Sequence, residues 1–261
     1  MGMGKYGGIV RHIRQDEFGP IEVVEMLGLR SLHFGTSTRQ SSQCLAEPER
    51  LEMPYLRAML AGLPFVPDPR RCLLLGLGGG SLAGFILRHC PEARIDAVEY
   101  RPALVEVARD YFGLPESPRL RIHLADANAY LQRLQPATEG GYDLILVDLF
   151  DEHGLAPCVI RDDFHAALAG ALAPAGVLTV NLWSGASEPF RVALRLLQRH
   201  FPMAHGSLPV VGRGNVIGVG LGVEARTPRP KVLLERARSL EQQTGVEFSR
   251  LLQRLSLTRS R

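Results

Sequence analysis

The segment VDLFD puts two carboxylates, Asp148 and Asp151, three residues apart at the end of an apolar run. If the run is a strand, the first acid stands at its carboxyl end and the second in the following loop, so both can face one cleft. Two such acids suit a cationic amine. An alkylammonium with a pKa near 10.4 must lose a proton to become a nucleophile, which costs about 4 to 5 kcal/mol at pH 7. A carboxylate that orients the amine and accepts its proton offsets part of that cost. A helix cap followed by a loop acid would look the same, so the pair needs partners.

The partners begin with LLLGLGGGSLAGFILRHC, residues 73 to 90, in which Gly76, Gly78 and Gly80 follow an apolar strand and precede a helical pattern. Glycines there tolerate positive φ and present no Cβ to a ligand, while the next helix aims its positive N-terminus at the bound group. Glu99 ends the second apolar run, 21 residues after Gly78, where an acid can accept two ribose hydroxyls. That spacing also fits a nicotinamide dinucleotide site, but the third glycine of that pattern is Ser81 here, and no hydride-transfer constellation accompanies it. Asp126, in LADAN, ends the third run and can accept a hydrogen bond from an adenine amino group. Together these describe a pocket for a nucleoside, as in class I methyltransferase-like folds.

The elements that must position these residues alternate. RCLLLGL, RIDAVEY, LRIHLAD, YDLILVDLF and GVLTVNLW read as strands, separated by the helical patterns SLAGFILRHC, PALVEVARDYF, NAYLQRL and DDFHAALAGAL, with EPFRVALRLLQRHF as the last main helix. This order predicts an α/β fold with a doubly wound, mostly parallel, Rossmann-like (methyltransferase-like) sheet, its ligand at the carboxyl ends of the strands. HGSLPVVGRGNVIGVGL reads as a hairpin forming the antiparallel edge. Upstream, IVRHIRQ, IEVVEML and RSLHF read as a β-meander, and EPERLEMPYLRAMLAGL has helical spacing before the Pro-rich PFVPDPR. The expected organisation is an N-terminal β-meander (1–45), a connecting helix and Pro-rich linker (46–70), a nucleoside-binding Rossmann-like domain (71–223) and basic C-terminal helices (224–261).

Composition narrows the classes further. The 261 residues carry 46% hydrophobic side chains and a net charge of +3, with nine Lys/Arg against four Asp/Glu after residue 223. The tail's arginines flank apolar residues at helical spacing, which reads as a solvated helix face rather than a nucleic-acid surface. No apolar run spans a membrane and the N-terminus has no apolar secretory core, so a cytoplasmic protein is expected. Cys44, Cys72, Cys90 and Cys158 are scattered, as reduced structural thiols are. Neither His153 to Cys158 nor His200 to His205 offers metal-ligand spacing, so no metal is expected. The edge strands of the meander point to a homodimer.

With these residues in hand, the chain resembles the spermidine synthase (polyamine aminopropyltransferase) family over roughly residues 20 to 222. The small N-terminal β-domain and the loop DLFDEHGLAP followed by DDF are similar to that family's. The resemblance implies that Gln40, Glu99, Asp126 and the D-x-x-D acids Asp148 and Asp151 hold and use decarboxylated S-adenosylmethionine, with Tyr55 kept from the family's Tyr-His-Glu motif. Departures fall on the amine half. Ser81 stands where the family's glycine turn carries an aspartate, Leu56 and Arg57 replace the histidine and glutamate, Ala127 follows Asp126 where glycine is usual, and Leu155 replaces a loop proline. Each lost charge-assisted hydrogen bond removes about 1.5 to 3 kcal/mol from a site for a dication, and an Arg57 turned inward would repel it.

Three readings follow. An aminopropyltransferase would move an aminopropyl group to an amine acceptor and release 5′-methylthioadenosine, and the D-x-x-D pair favours it. A methyltransferase would use intact S-adenosylmethionine, which Ser81 and Leu56 favour. A nucleoside-binding paralogue without catalysis would have no evident use for the paired acids.

Overall fold

The computed structural model describes residues 4–134, 140–151, 154–225 and 228–259, apart from the side chains of Asp151 and Arg259. Two sheets organise the chain. The N-terminal sheet is an antiparallel meander of β1 (Gly4–Lys5), β2 (Gly8–Asp16), β3 (Gly19–Met26), β4 (Leu29–His33) and β5 (Ser41–Cys44) in that order. Helix α1 (Pro54–Met59) and a 3-10 segment (Leu60–Phe65) then lead into the central sheet.

That sheet is built from β6 (Arg71–Leu75), α2 (Ser81–His89), β7 (Arg94–Glu99), α3 (Pro102–Phe112), β8 (Leu120–Leu124), α4 (Ala127–Arg133) and β9 (Tyr142–Val147). A small two-stranded ribbon, β10 (Phe150–Asp151) and β11 (Gly154–Leu155), precedes α5 (Asp162–Ala171), β12 (Leu172–Trp183), α6 (Ser187–His200) and the hairpin β13 (Ala204–Pro209) and β14 (Asn215–Leu221). The chain ends with α7 (Pro230–Thr244), α8 (Phe248–Arg254) and β15 (Ser256–Arg259). Strand order across the sheet is β15-β13-β14-β12-β9-β6-β7-β8, with β12, β9, β6, β7 and β8 parallel and the rest antiparallel.

Alternation along β6 shows why the parallel strands are continuously apolar. Cys72 and Leu74 enter one core with α2, while Leu73 and Leu75 enter the other with α4, α5 and α6, so the sheet is covered on both faces. The helices carry their own punctuation: α3 starts on Pro102 and stops at Gly113, with φ +68°, and α7 starts on Pro230 and stops at Gly245, with φ +72°. A third cluster joins Ile21, Val23 and Leu32 of the meander to Leu104, Val107 and Phe112 of α3. Beside it, buried Arg101 forks onto Asp16 (2.8 and 3.1 Å), donates to the Gly19 carbonyl (3.0 Å) and lies over the Phe34 ring, tying the meander to the end of β7.

Two expectations change. The helix read over residues 47–63 begins only at Pro54, because proline favours the first helical turn and holds Met53 extended, at φ −80° and ψ 125°. The tail is not helical to its end. β15 pairs with β13, so the hairpin lies inside the sheet, and Gly206 permits the approach: a Cβ there would stand 2.1 Å from the Ser256 carbonyl oxygen. Among the described residues, no helix is long and apolar enough to cross a membrane, and no group of three His, Cys, Asp or Glu could hold a metal ion. The candidate ligand His153 lies outside the described residues.

Candidate active site

The parallel strands end on a cavity of about 670 Å³. Its walls come from the glycine turn, the ends of β7, β9 and β12, the segment after β4, the start of α1 and the β13–β14 turn.

The turn is shaped by backbone needs. Gly76, Gly78 and Gly80 have φ of +92°, +53° and +79°, which side chains rarely adopt. At Gly76 a second demand applies, because a Cβ would stand 2.1 Å from the carbonyl oxygen of Asp148. The register explains this closeness: Leu75 pairs with Val147, and the Asp148 amide donates to the Leu75 carbonyl at 2.8 Å. Gly78, in contrast, has open space where a Cβ would be, on the cavity wall.

Glu99 is 5% exposed and faces the same cavity. Its Oε2 accepts from the Leu77 amide (3.2 Å) and its Oε1 from the Arg101 amide (3.0 Å). Burial raises its carboxyl above the ordinary range, against the backbone amides of Arg101, Leu77 and Tyr100, which favour the charge. The carboxylate keeps room for a further donor.

Asp148 opens on the cavity from the end of β9. Asn181, level with it on β12, donates Nδ2 to Asp148 Oδ1 at 2.9 Å, and Asn215 donates to Asn181 Oδ1 at 3.0 Å. The Tyr55 hydroxyl faces the same carboxylate and favours its charged form. Burial raises the Asp148 carboxyl while Asn181 and Tyr55 oppose it. The Tyr55 phenol is pushed well above its usual value by burial and then by the Asp148 charge, so it stays protonated. A carboxylate with a raised pKa and two fixed polar neighbours can take a proton without swinging away.

Of the residues singled out in the sequence, Gln40, Tyr55, Gly76, Gly78, Glu99, Ala127 and Asp148 line the cavity. Gly80, Ser81 and Asp126 do not: Gly80 and Ser81 open α2, and Asp126 is exposed, capping α4 through the Ala129 amide at 2.8 Å. The backbone of Asp151 pairs with Gly154, and its side chain lies outside the described residues. Arg57 turns away from the cavity. Its guanidinium binds the Leu51 carbonyl (2.5 Å) and Glu247 (3.3 Å), because α1 presents that face to the C-terminal segment, and Leu56 is core. Sequence reasoning missed Asn181, Asn215, Trp183 and Arg213, all on the cavity wall. Only Asn181 left a signal, an amide near the carboxyl end of a mostly apolar strand.

Residues 53–184 match the Spermine/spermidine synthase domain. A polyamine aminopropyltransferase of Chromobacterium violaceum is 35% identical over 239 residues, covering 91% of this chain and 90% of that protein. An eEF1A lysine and N-terminal methyltransferase of Bos taurus is 31% identical over 216 residues, 76% of this chain but 31% of that protein. Among solved structures, a probable spermidine synthase from Corynebacterium glutamicum superposes with a TM-score of 0.73 at 22% identity, over 95% of this chain and 90% of that one. Human Methyltransferase-like protein 13 in complex with SAH superposes at 0.67 with 29% identity, over 74% and 93%.

Proposed function

Because the chain belongs to the spermine/spermidine synthase family, we propose that it is a transferase that moves an aminopropyl group from decarboxylated S-adenosylmethionine to an amine. The observation that carries this reading is the single cavity shared by Asp148, Glu99 and the Gly76–Gly78 turn. Glu99 receives the ribose hydroxyls, Gln40 and Ala127 flank the nucleoside, and the open space at Gly78 admits it. Asp126 and Ser81 keep their proposed donor-side roles from outside the described wall. Asp151 keeps its role as the second acid that steers the amine.

In the reaction the amine nitrogen forms a bond to the methylene carbon next to the sulfonium. The carbon–sulfur bond breaks and leaves its electron pair on sulfur, giving the neutral thioether of 5′-methylthioadenosine. The proton shed by nitrogen passes to Asp148, whose raised pKa suits it to accept one. Tyr55 and Asn181 hold the carboxylate in line, and enclosure orients both reactants.

A second reading, methyl transfer from intact S-adenosylmethionine, is favoured by Ser81 in place of an acid and by the methyltransferase relatives. Calorimetric titration with the decarboxylated and the intact donor separates the two. Tighter binding of the decarboxylated form, with release of methylthioadenosine when an amine is added, is expected. Preference for the intact form would replace aminopropyl by methyl transfer. A cytoplasmic homodimer belongs to the same proposal, supported by the unpaired edges of β1 and β5, and a monomeric sedimentation profile at micromolar concentration would remove the dimer.

A further inference from the structure

The charged side chains on the cavity wall are not equally occupied. Arg101 is neutralised by Asp16, Glu52 by Arg50 at 2.9 Å, Glu99 is held by backbone amides, and Asp148 by Tyr55 and Asn181. Arg39, on the same wall, has no hydrogen-bond or ion-pair partner among the described residues, and Arg213 lines the cavity with its guanidinium equally unpartnered.

Its position is fixed rather than incidental. Arg213 lies in the turn between β13 and β14, where its amide donates to the Val210 carbonyl at 3.2 Å. The turn is pinned next to Trp183: the Ser184 amide and hydroxyl both donate to the Gly214 carbonyl at 2.8 Å, and Gly214 packs so closely that a Cβ would stand 2.8 Å from the indole ring. Two residues on, Asn215 begins the amide chain that reaches Asp148 through Asn181. A free guanidinium is thus mounted on the hairpin that also supports the reacting carboxylate.

This arrangement suits one class of acceptor better than another. A diamine held at Asp148 by one nitrogen would bring its second ammonium into a wall bearing an unpaired cation. An amine ending in a carboxylate would instead give Arg213 a planar, bidentate partner. Resting on the transfer reading above, we infer that the acceptor is an amine carrying a carboxylate at its far end, with Arg213 as the residue that selects it.

The test uses the full chain saturated with 5′-methylthioadenosine and compares 4-aminobutanoate with 1,4-diaminobutane by calorimetry, wild type against Arg213→Gln and Arg213→Lys. Arg213 is exposed, so these changes leave the core intact. Wild type is expected to bind the amino acid at least about 10-fold more tightly than the diamine, Arg213→Gln to abolish the preference and Arg213→Lys to restore part of it. Equal or tighter binding of the diamine, binding of neither, or a preference that survives Arg213→Gln overturns the assignment. Transfer is read separately, as methylthioadenosine released from the decarboxylated donor. Release with the diamine alone keeps the transfer reading and removes the role of Arg213. A preference for the amino acid without release from either amine supports Arg213 and removes the aminopropyl reading.

Discussion

Glu99 and Asp148 share one cavity but are held by different means. The hydrogen bonds that fix the Glu99 oxygens come from the main chain, among them those at Leu77 and Arg101, next to the turn and the strand that carry the site. Asp148 is held by side chains, Tyr55 from α1 and Asn181 from β12, with Asn215 of β14 behind the latter. A site made of main chain is set by local geometry and tolerates little change in it. A site made of converging side chains can be retuned one residue at a time.

The sharpest way to break that contrast is Asp148→Asn, which keeps the shape and removes the base. Turnover should fall about 10³-fold while nucleoside affinity stays within about threefold, as initial rates and calorimetry would report. Wild-type rates in that variant would end the base assignment. Glu99→Ala should do the reverse, weakening nucleoside binding about 10- to 100-fold through lost charge-assisted bonds. Unchanged affinity would leave the ribose reading without support.

Tyr55→Phe sharpens the comparison through pH. On the base assignment Asp148 works as the carboxylate, so turnover should rise as pH climbs through its pKa, which burial sets above the usual range. The Tyr55 hydroxyl lowers that pKa, so removing it should move the rising limb of the pH–rate profile to higher pH and cut turnover at neutral pH about 10-fold. A limb that stays in place would mean that Tyr55 does not act on Asp148. The smallest effect is expected at Arg57→Ala, outside the cavity: turnover within about twofold and a stability loss of at most about 1 kcal/mol by denaturant titration, since its partner Glu247 is 43% exposed.

The same contrast explains what the sequence made legible. Period and punctuation reveal local events, so the alternating strands and helices, the turn glycines and the strand-end positions of Glu99 and Asp148 could be read from spacing, whereas the family rested on the likeness of particular motifs such as DLFDEHGLAP. The convergence of residues 55, 148, 181 and 215 depends on strand order, with β12 beside β9 and β14 beside β12, and no spacing rule contains it. Asp126 shows what spacing leaves out: the acid expected to meet the ligand also caps α4 through the Ala129 amide and stands outside the described wall. Arg57 likewise cannot be oriented from its neighbours, because its partner Glu247 lies 190 residues away.

The β13–β14 hairpin, antiparallel and placed beyond the five parallel strands, separates one part of the cavity wall from the rest. Its turn, Val210 to Asn215, touches the cavity without belonging to the strands that build the glycine turn or carry Asp148. On the role proposed for Arg213, a change in this turn would alter the choice of acceptor without touching the glycine turn or Glu99.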